Sequence, residues 1–104
     1  MSDMDRFTAL ADPTRRAILE LLARRGELPA GDIAAQFDMS APAVSQHLKA
    51  LREAGLVSVE RRAQQRIYRL NPEGMRDVEE WVGRTRRIWE RRLDALEAFL
   101  KTEE

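Results

Sequence analysis

From Ser40 to Gly55 the chain places Val44, Leu48 and Leu51 at i, i+4 and i+7, while Pro42, Ser45, Gln46, Lys49 and Arg52 fall on the other side. That spacing predicts one helix with a narrow buried seam and a polar outer face. Ser40 is placed to cap its N-terminus, and Gly55 ends it. Just upstream, Ala30 to Phe37 predicts a short helix with Ile33, Ala34 and Phe37 inward, followed by a tight turn at Asp38 and Met39. Two short helices separated by so few residues, the second capped and polar outside, form a helix-turn-helix pattern.

The flanks extend the pattern. Met4, Phe7 and Leu10 have helical spacing, and Asp12-Pro13 reads as an N-cap followed by proline at the first helical position. The next helix carries Ala17, Ile18, Leu21 and Leu22 on one face, has Arg24 and Arg25 at its negative end, and stops at Gly26. After Gly55, the segments Leu56 to Arg62 and Arg66 to Leu70 alternate as strands around a polar tip at Ala63, Gln64 and Gln65, predicting a two-stranded hairpin. Asn71-Pro72 breaks the strand. From Glu73 to about Lys101 the periodicity is again helical, with Val78, Trp81, Val82, Trp89, Leu93, Leu96 and Leu100 on one broad stripe. Such a helix is roughly 42 Å long, more than a small core can cover. The fold class expected is mainly α with a small β-hairpin, a winged helix-turn-helix with a long C-terminal dimerisation helix. At 104 residues, 43% of them hydrophobic, the chain suits one domain over 1–104. Its DNA-reading part is expected at about 12–71 and its dimerisation helix at about 73–101.

Several function classes drop out. Without cysteine there is no disulfide, thiolate nucleophile or thiolate metal site. One histidine, no nucleophile and base at a plausible spacing, and no glycine-rich phosphate loop argue against an enzyme. No stretch approaches the roughly 18 apolar residues of a membrane span, and Met1 to Arg6 carries acidic residues without an apolar run. The expectation is a cytoplasmic protein with no membrane partner and no cofactor. Overall charge is zero, from 18 basic and 18 acidic residues, which argues against indiscriminate coating of nucleic acid. The distribution is uneven. Between Ser40 and Asn71, Lys49, Arg52, Arg61, Arg62, Arg66 and Arg69 face only Glu53 and Glu60, so the middle of the chain is its electropositive part.

These residues also carry a resemblance, extending over essentially the whole chain, to the ArsR/SmtB family of bacterial winged-helix repressors. Leu10-Ala11-Asp12-Pro13-Thr14-Arg15 looks like the family's second-helix entry, and Met39 to Leu48 like its recognition helix. Leu51-Arg52-Glu53-Ala54-Gly55-Leu56-Val57 matches the exit into the first strand, and Tyr68-Arg69-Leu70 the end of the second. The resemblance implies a homodimeric repressor. Family metal sensors often carry two cysteines flanking one residue after a Glu-Leu pair. Here Glu27-Leu28 is followed by Pro29 and Gly31 at those places, and no histidine lies between Glu73 and Glu104. The segment from Trp89 to Glu97, with Trp81, instead resembles a branch without metal sensing, whose members often occur beside genes for proteins of a hydrophobic-ligand fold. The glycine common at the wing tip is replaced by Gln64.

The candidate DNA-binding residues are Ser40, Ala41, Pro42, Ser45, Gln46, His47, Lys49 and Arg52 on the recognition helix, with Arg61, Arg62, Gln64, Gln65 and Arg66 on the wing. Gln46 can pair bidentately with adenine, Ser45 can reach a base or a phosphate, and Ala41 with Pro42 can touch a thymine methyl. Lys49 and Arg52 suit the phosphate backbone, and the wing residues suit phosphates or an adjacent minor groove. His47 alone makes no metal or catalytic site and reads as packing or a DNA contact. The candidate dimer interface is Met4, Phe7, Leu10, Val82, Trp89, Leu93, Leu96 and Leu100. The tryptophans serve core or interface, or line a small-molecule effector pocket. The arginines of the last helix alternate with Glu79, Glu80, Glu90, Asp94 and Glu97, reading as a salt-bridged face. Three alternatives stand at this point: a constitutive repressor, a ligand-responsive one, and a protein-interaction module built on the same scaffold.

Overall fold

The computed structural model describes the backbone of residues 3–102 and the side chains of residues 6–102. Helix α1 (Asp3–Leu10) leads into α2 (Pro13–Arg25), strand β1 (Glu27–Pro29), α3 (Ala30–Ala34), α4 (Ala41–Glu53), strands β2 (Val57–Arg62) and β3 (Gln65–Leu70), and α5 (Pro72–Thr102).

The caps act where the sequence puts them. The Asp12 carboxylate accepts from the backbone N–H of Thr14 at 2.8 Å and of Arg15 at 3.1 Å, satisfying two orphan donors at the start of α2, where Pro13 has none to satisfy. Ser40 Oγ accepts from Ala43 N at 3.2 Å at the start of α4. Gly26 ends α2 at φ 87°, where a side chain would be strained, and Gly55 follows α4 at φ 75°.

Two elements depart from expectation. The third helix ends at Ala34, not Phe37: Gln36 N bonds Ile33 O and Phe37 N bonds Ala34 O, i to i+3 turns that tighten the chain out of the α-helix. Phe37 still packs against the core. The wing hairpin of β2 and β3 forms as expected, but an unexpected strand, β1, extends it to a three-stranded antiparallel sheet in the order β1-β3-β2. Leu28, buried in β1, pairs with Tyr68, and β2 runs from Val57 opposite Leu70 to Arg62 opposite Gln65. β1 carries too few residues for alternation to show, and it ends in proline, which is tolerated because the strand lies at the sheet edge. The tip is only Ala63 and Gln64, with positive φ at Ala63.

The core joins α2, α3, α4 and the inner face of the sheet. Ile18, Leu22, Ile33, Val44, Leu48, Leu51 and Leu56 are fully enclosed, each side chain contributing about 1.5–3 kcal/mol by burial. Leu19, not assigned inward from the sequence, is buried with them. The first turns of α5 dock on this body through Asn71, whose Nδ2 donates to Gly55 O at 2.8 Å and whose N–H donates to Leu56 O at 2.9 Å. Arg6 ties α1 to the same corner, donating from Nε to Ala54 O at 3.1 Å and pairing with Asp77. Beyond it α5 runs clear of the body, which is why the molecule measures 67 Å along its long axis against 27 and 22 Å across.

Candidate nucleic-acid interface

Three inward residues fix the rotation of α4 about its axis. With Val44, Leu48 and Leu51 in the core, Ala41, Pro42, Ser45, Gln46, Lys49 and Arg52 are all exposed. Ser40, also exposed, spends an Oγ lone pair on its cap, and its hydroxyl proton stays available to donate. This face presents a small apolar start, then an amide and a hydroxyl, then two cations about one turn further on.

The sheet supplies the second wall. Residues in register share a face, so Val57, Val59 and Arg61 of β2 lie on the side of Leu70, Tyr68 and Arg66 of β3, the side that meets the core. Arg66 and Tyr68 thereby line a cleft of about 320 Å³ with Ser45, Lys49, Arg52 and Glu53 of α4. Arg61 stands opposite Arg66 on the same face. Lys49 is held only loosely, 3.9 Å from Glu53 and 77% exposed, so its charge is free to swing outward. Tyr68 and Glu53 went unassigned from sequence; strand alternation placed Tyr68 inward, and nothing local distinguished Glu53.

Other expected contact residues lie elsewhere. His47 turns back toward α2, with 18% of its side chain exposed; its Nδ1 accepts from Arg15 Nε at 3.2 Å and lies 4.0 Å from the Asp12 carboxylate. It packs the recognition helix onto α2, the first of the two roles its sequence allowed. The Asp12 carboxyl is held below its ordinary pKa of 3.8, chiefly by the hydrogen bond from the Arg15 backbone. Gln64 and Gln65 sit beside Pro29 to Asp32, at the entry of α3.

Arg62 departs furthest from expectation. One residue from Arg61, it occupies the opposite face of the sheet with Glu60, Ile67, Arg69 and Glu27. Its Nη1 donates to Glu27 Oε1 at 2.7 Å, and its Nη2 donates to Glu27 Oε2 at 3.1 Å and to Glu60 Oε2 at 2.9 Å. The guanidinium hydrogen bonds pull Glu27 below its ordinary pKa of 4.5, and the two carboxylates raise Arg62 further above its usual range. Period-two alternation separates Arg61 from Arg62 in any strand; the partner Glu27 was invisible because β1 itself was.

On α5 the apolar stripe is largely open. Trp89, Leu93, Leu96 and Leu100 are each more than half exposed and Val82 nearly so. Ile88 and Phe99, unassigned from sequence, widen the stripe. Trp81 packs against Phe7 of α1 with ring centroids 4.4 Å apart and the rings tilted by 53°. Leu10, expected at the interface, packs against the core of its own protomer. Met4 lies in α1, but its side chain is outside the described residues. Arg86 pairs with Glu90 at 3.8 Å and Lys101 with Glu97 at 3.3 Å, as i, i+4 spacing allows. A groove on α5 is lined by Glu79, Glu80, Gly83, Arg84 and Arg87 among others, and neither tryptophan contributes to it.

Comparison with known proteins agrees with this geometry. Residues 12–59 match the family model described as bacterial regulatory protein, arsR family. The chain is 43% identical over 76 residues to the transcriptional repressor SdpR of Bacillus subtilis, covering 73% of this chain and 83% of SdpR. It is 49% identical over 69 residues to an HTH-type transcriptional regulator of Mycobacterium tuberculosis, covering 66% of this chain and 64% of that longer protein. Among solved structures, the homodimeric winged helix-turn-helix DNA-binding domain of a possible ArsR-family regulator from Mycobacterium bovis superposes with a TM-score of 0.65 at 31% identity, covering 84% of this chain and 77% of that one.

Proposed function

The chain belongs to the arsR family of bacterial regulatory proteins, and on that premise we propose that it is a homodimeric repressor reading an inverted-repeat operator in double-stranded DNA without sensing a metal. It is a winged helix-turn-helix transcriptional regulator and not an enzyme. One observation carries the operator reading: Ser45, Lys49 and Arg52 of α4 converge with Arg66 of β3 on one cleft beside an exposed amide, Gln46. A helix of this kind fits the major groove, with Gln46 and Ser45 toward base edges and Lys49, Arg52, Arg61 and Arg66 toward phosphates.

The dimer is supported by the apolar stripe of α5, whose Trp89 and Leu93 are 56% and 58% exposed in a single chain. Apolar surface of that extent on one helix marks an association site. A second copy covers it with its own α5, and two recognition helices then stand about one turn of DNA, roughly 34 Å, apart. Residues 1–104 form one domain in this reading, with about 12–71 reading DNA and α5 joining the copies. Pro29 and Gly31 offer no ligand where family sensors place thiolates, so no metal enters the mechanism. Among the described residues no helix is long and apolar enough to cross a membrane, consistent with action in the cytoplasm, where the operator is.

The test is a fluorescence anisotropy titration against the DNA upstream of the protein's own coding sequence and a scrambled duplex, at two salt concentrations, with and without chelator. Salt-sensitive preference for the upstream duplex, unchanged by chelator, is expected. Equal affinity for both duplexes would overturn the operator reading and favour an interaction module; loss of preference with chelator would overturn metal independence.

A further inference from the structure

We propose that Arg62 is a positioning residue of the wing, clamping β2 to β1 through Glu27, and not one of its phosphate contacts. The inference rests on the DNA-binding reading above and concerns how the wing is aimed.

The first argument is direction. Arg61 and Arg66 share the face that meets α4, and Arg62 lies on the other. The second is occupancy. Both Nη atoms of Arg62 already donate to carboxylates, in a two-pronged pair with Glu27 and a further bond to Glu60. A phosphate approaching this guanidinium meets two negative charges, and finds only the N–H groups that the three bonds to Glu27 and Glu60 leave over. The third is connectivity. β1 and β2 are not neighbours, since β3 lies between them, so the Arg62–Glu27 pair bridges the whole width of the sheet. It does so from the last residue of β2, immediately before the tip, to a strand that runs directly into α3. The tip end of β2 is thus tied to the strand that leads into the helix-turn-helix, and the angle between Arg66 and α4 follows from that tie. Arg69, 4.0 Å from Glu60, extends the network along the same face. All three members of the clamp are between 41% and 49% exposed, so its contribution to global stability is small. Its effect belongs in DNA affinity.

Replacing both Glu27 and Arg62 by glutamine breaks the clamp and leaves the net charge of the protein unchanged. Anisotropy titrations of the full chain on the upstream duplex, across a salt series, then separate the two roles. A clamp predicts several-fold weaker binding by the double variant at a parental salt slope, with little change in its melting temperature. It also predicts weaker binding by Glu27→Gln alone, although that substitution removes a negative charge near DNA. A slope shallower by about 0.9 in the double variant, the loss of one phosphate contact, overturns the proposal. So does parental or tighter binding by Glu27→Gln, which also decides the matter should the double variant fold poorly. Arg66→Gln serves as comparator, with the shallower slope expected of a phosphate ligand. If the unsubstituted chain shows no salt-sensitive DNA binding, the DNA reading itself falls and the clamp with it; intact parental binding confines a failure to the clamp.

Discussion

Replacing Gly74 by alanine asks whether the docking of α5 is fixed by one missing side chain. In an exposed helix the change stabilises by about 1 kcal/mol, because alanine loses less backbone entropy. Gly74 is not exposed: a Cβ built on it falls far inside the 3.0 Å that Cβ atoms essentially never cross, against the carbonyl oxygen of Gly55, and lies 2.9 Å from that carbonyl carbon. The obstacle is backbone and cannot rotate away. The same oxygen accepts from Asn71 Nδ2, and the following residue, Leu56, is completely buried. The start of α5 must therefore retreat by about an ångström, an overpacking cost of about 1–3 kcal/mol, with strain on two Asn71 hydrogen bonds worth about 0.5–1.5 kcal/mol each. Less the propensity gain, the net loss is about 2 kcal/mol, a fall in Tm of roughly 8–16 °C for a domain of this size. Urea and thermal unfolding followed by circular dichroism, at one fixed protein concentration, measure it. Gly83 lies on the same helix, where a Cβ meets nothing nearer than Arg87 Nη1 at 3.5 Å, and Gly83→Ala should hold or raise stability. A Gly74→Ala protein as stable as its parent would refute the steric argument.

Other outcomes follow from the site and the caps. Gln46→Ala should relax base preference by about 1–3 kcal/mol of discrimination, read from titrations against single-base operator variants; uniform weakening on all duplexes would remove Gln46 from base reading. Leu93→Glu should shift the protein to monomer in sedimentation equilibrium with its far-ultraviolet spectrum retained, since Leu93 is 58% exposed in the protomer. Asp12 has its pKa depressed in the folded state, so its stabilising effect is present above its ordinary 3.8 and is lost as pH falls through the lower folded value. Asp12→Asn keeps a capping side chain but removes this titration, and its urea midpoint should fall less steeply over that acid range than the parent's.

The helices, and their ends apart from that of α3, were legible because their causes are local. Asp12 accepts from the backbone N–H two residues on, Ser40 from the one three residues on, and the seam of Val44, Leu48 and Leu51 repeats within two turns. The outer face of α4 followed from that seam, so which of its residues are exposed was readable, while the turn of His47 toward α2 was not. Its inward turn depends on Arg15, 32 positions away. The wing was half legible. Alternation in β2 and β3 marks the strands and which residues share a face, but a three-residue β1 has no period to detect.

What the sequence by itself determined is the helices and the two strands of the wing, the caps at Asp12 and Ser40, the apolar stripe of α5 and the electropositive middle, since each is read from neighbouring residues along the chain. Only the tertiary structure decided that Arg62 belongs to Glu27, 35 residues distant, that Gly74 must lack a side chain because the Gly55 carbonyl occupies its space, and that Leu10, while partly exposed, also packs against the core of its own chain. These depend on which distant backbone the core brings alongside, and that is settled by packing all the helices and the sheet at once.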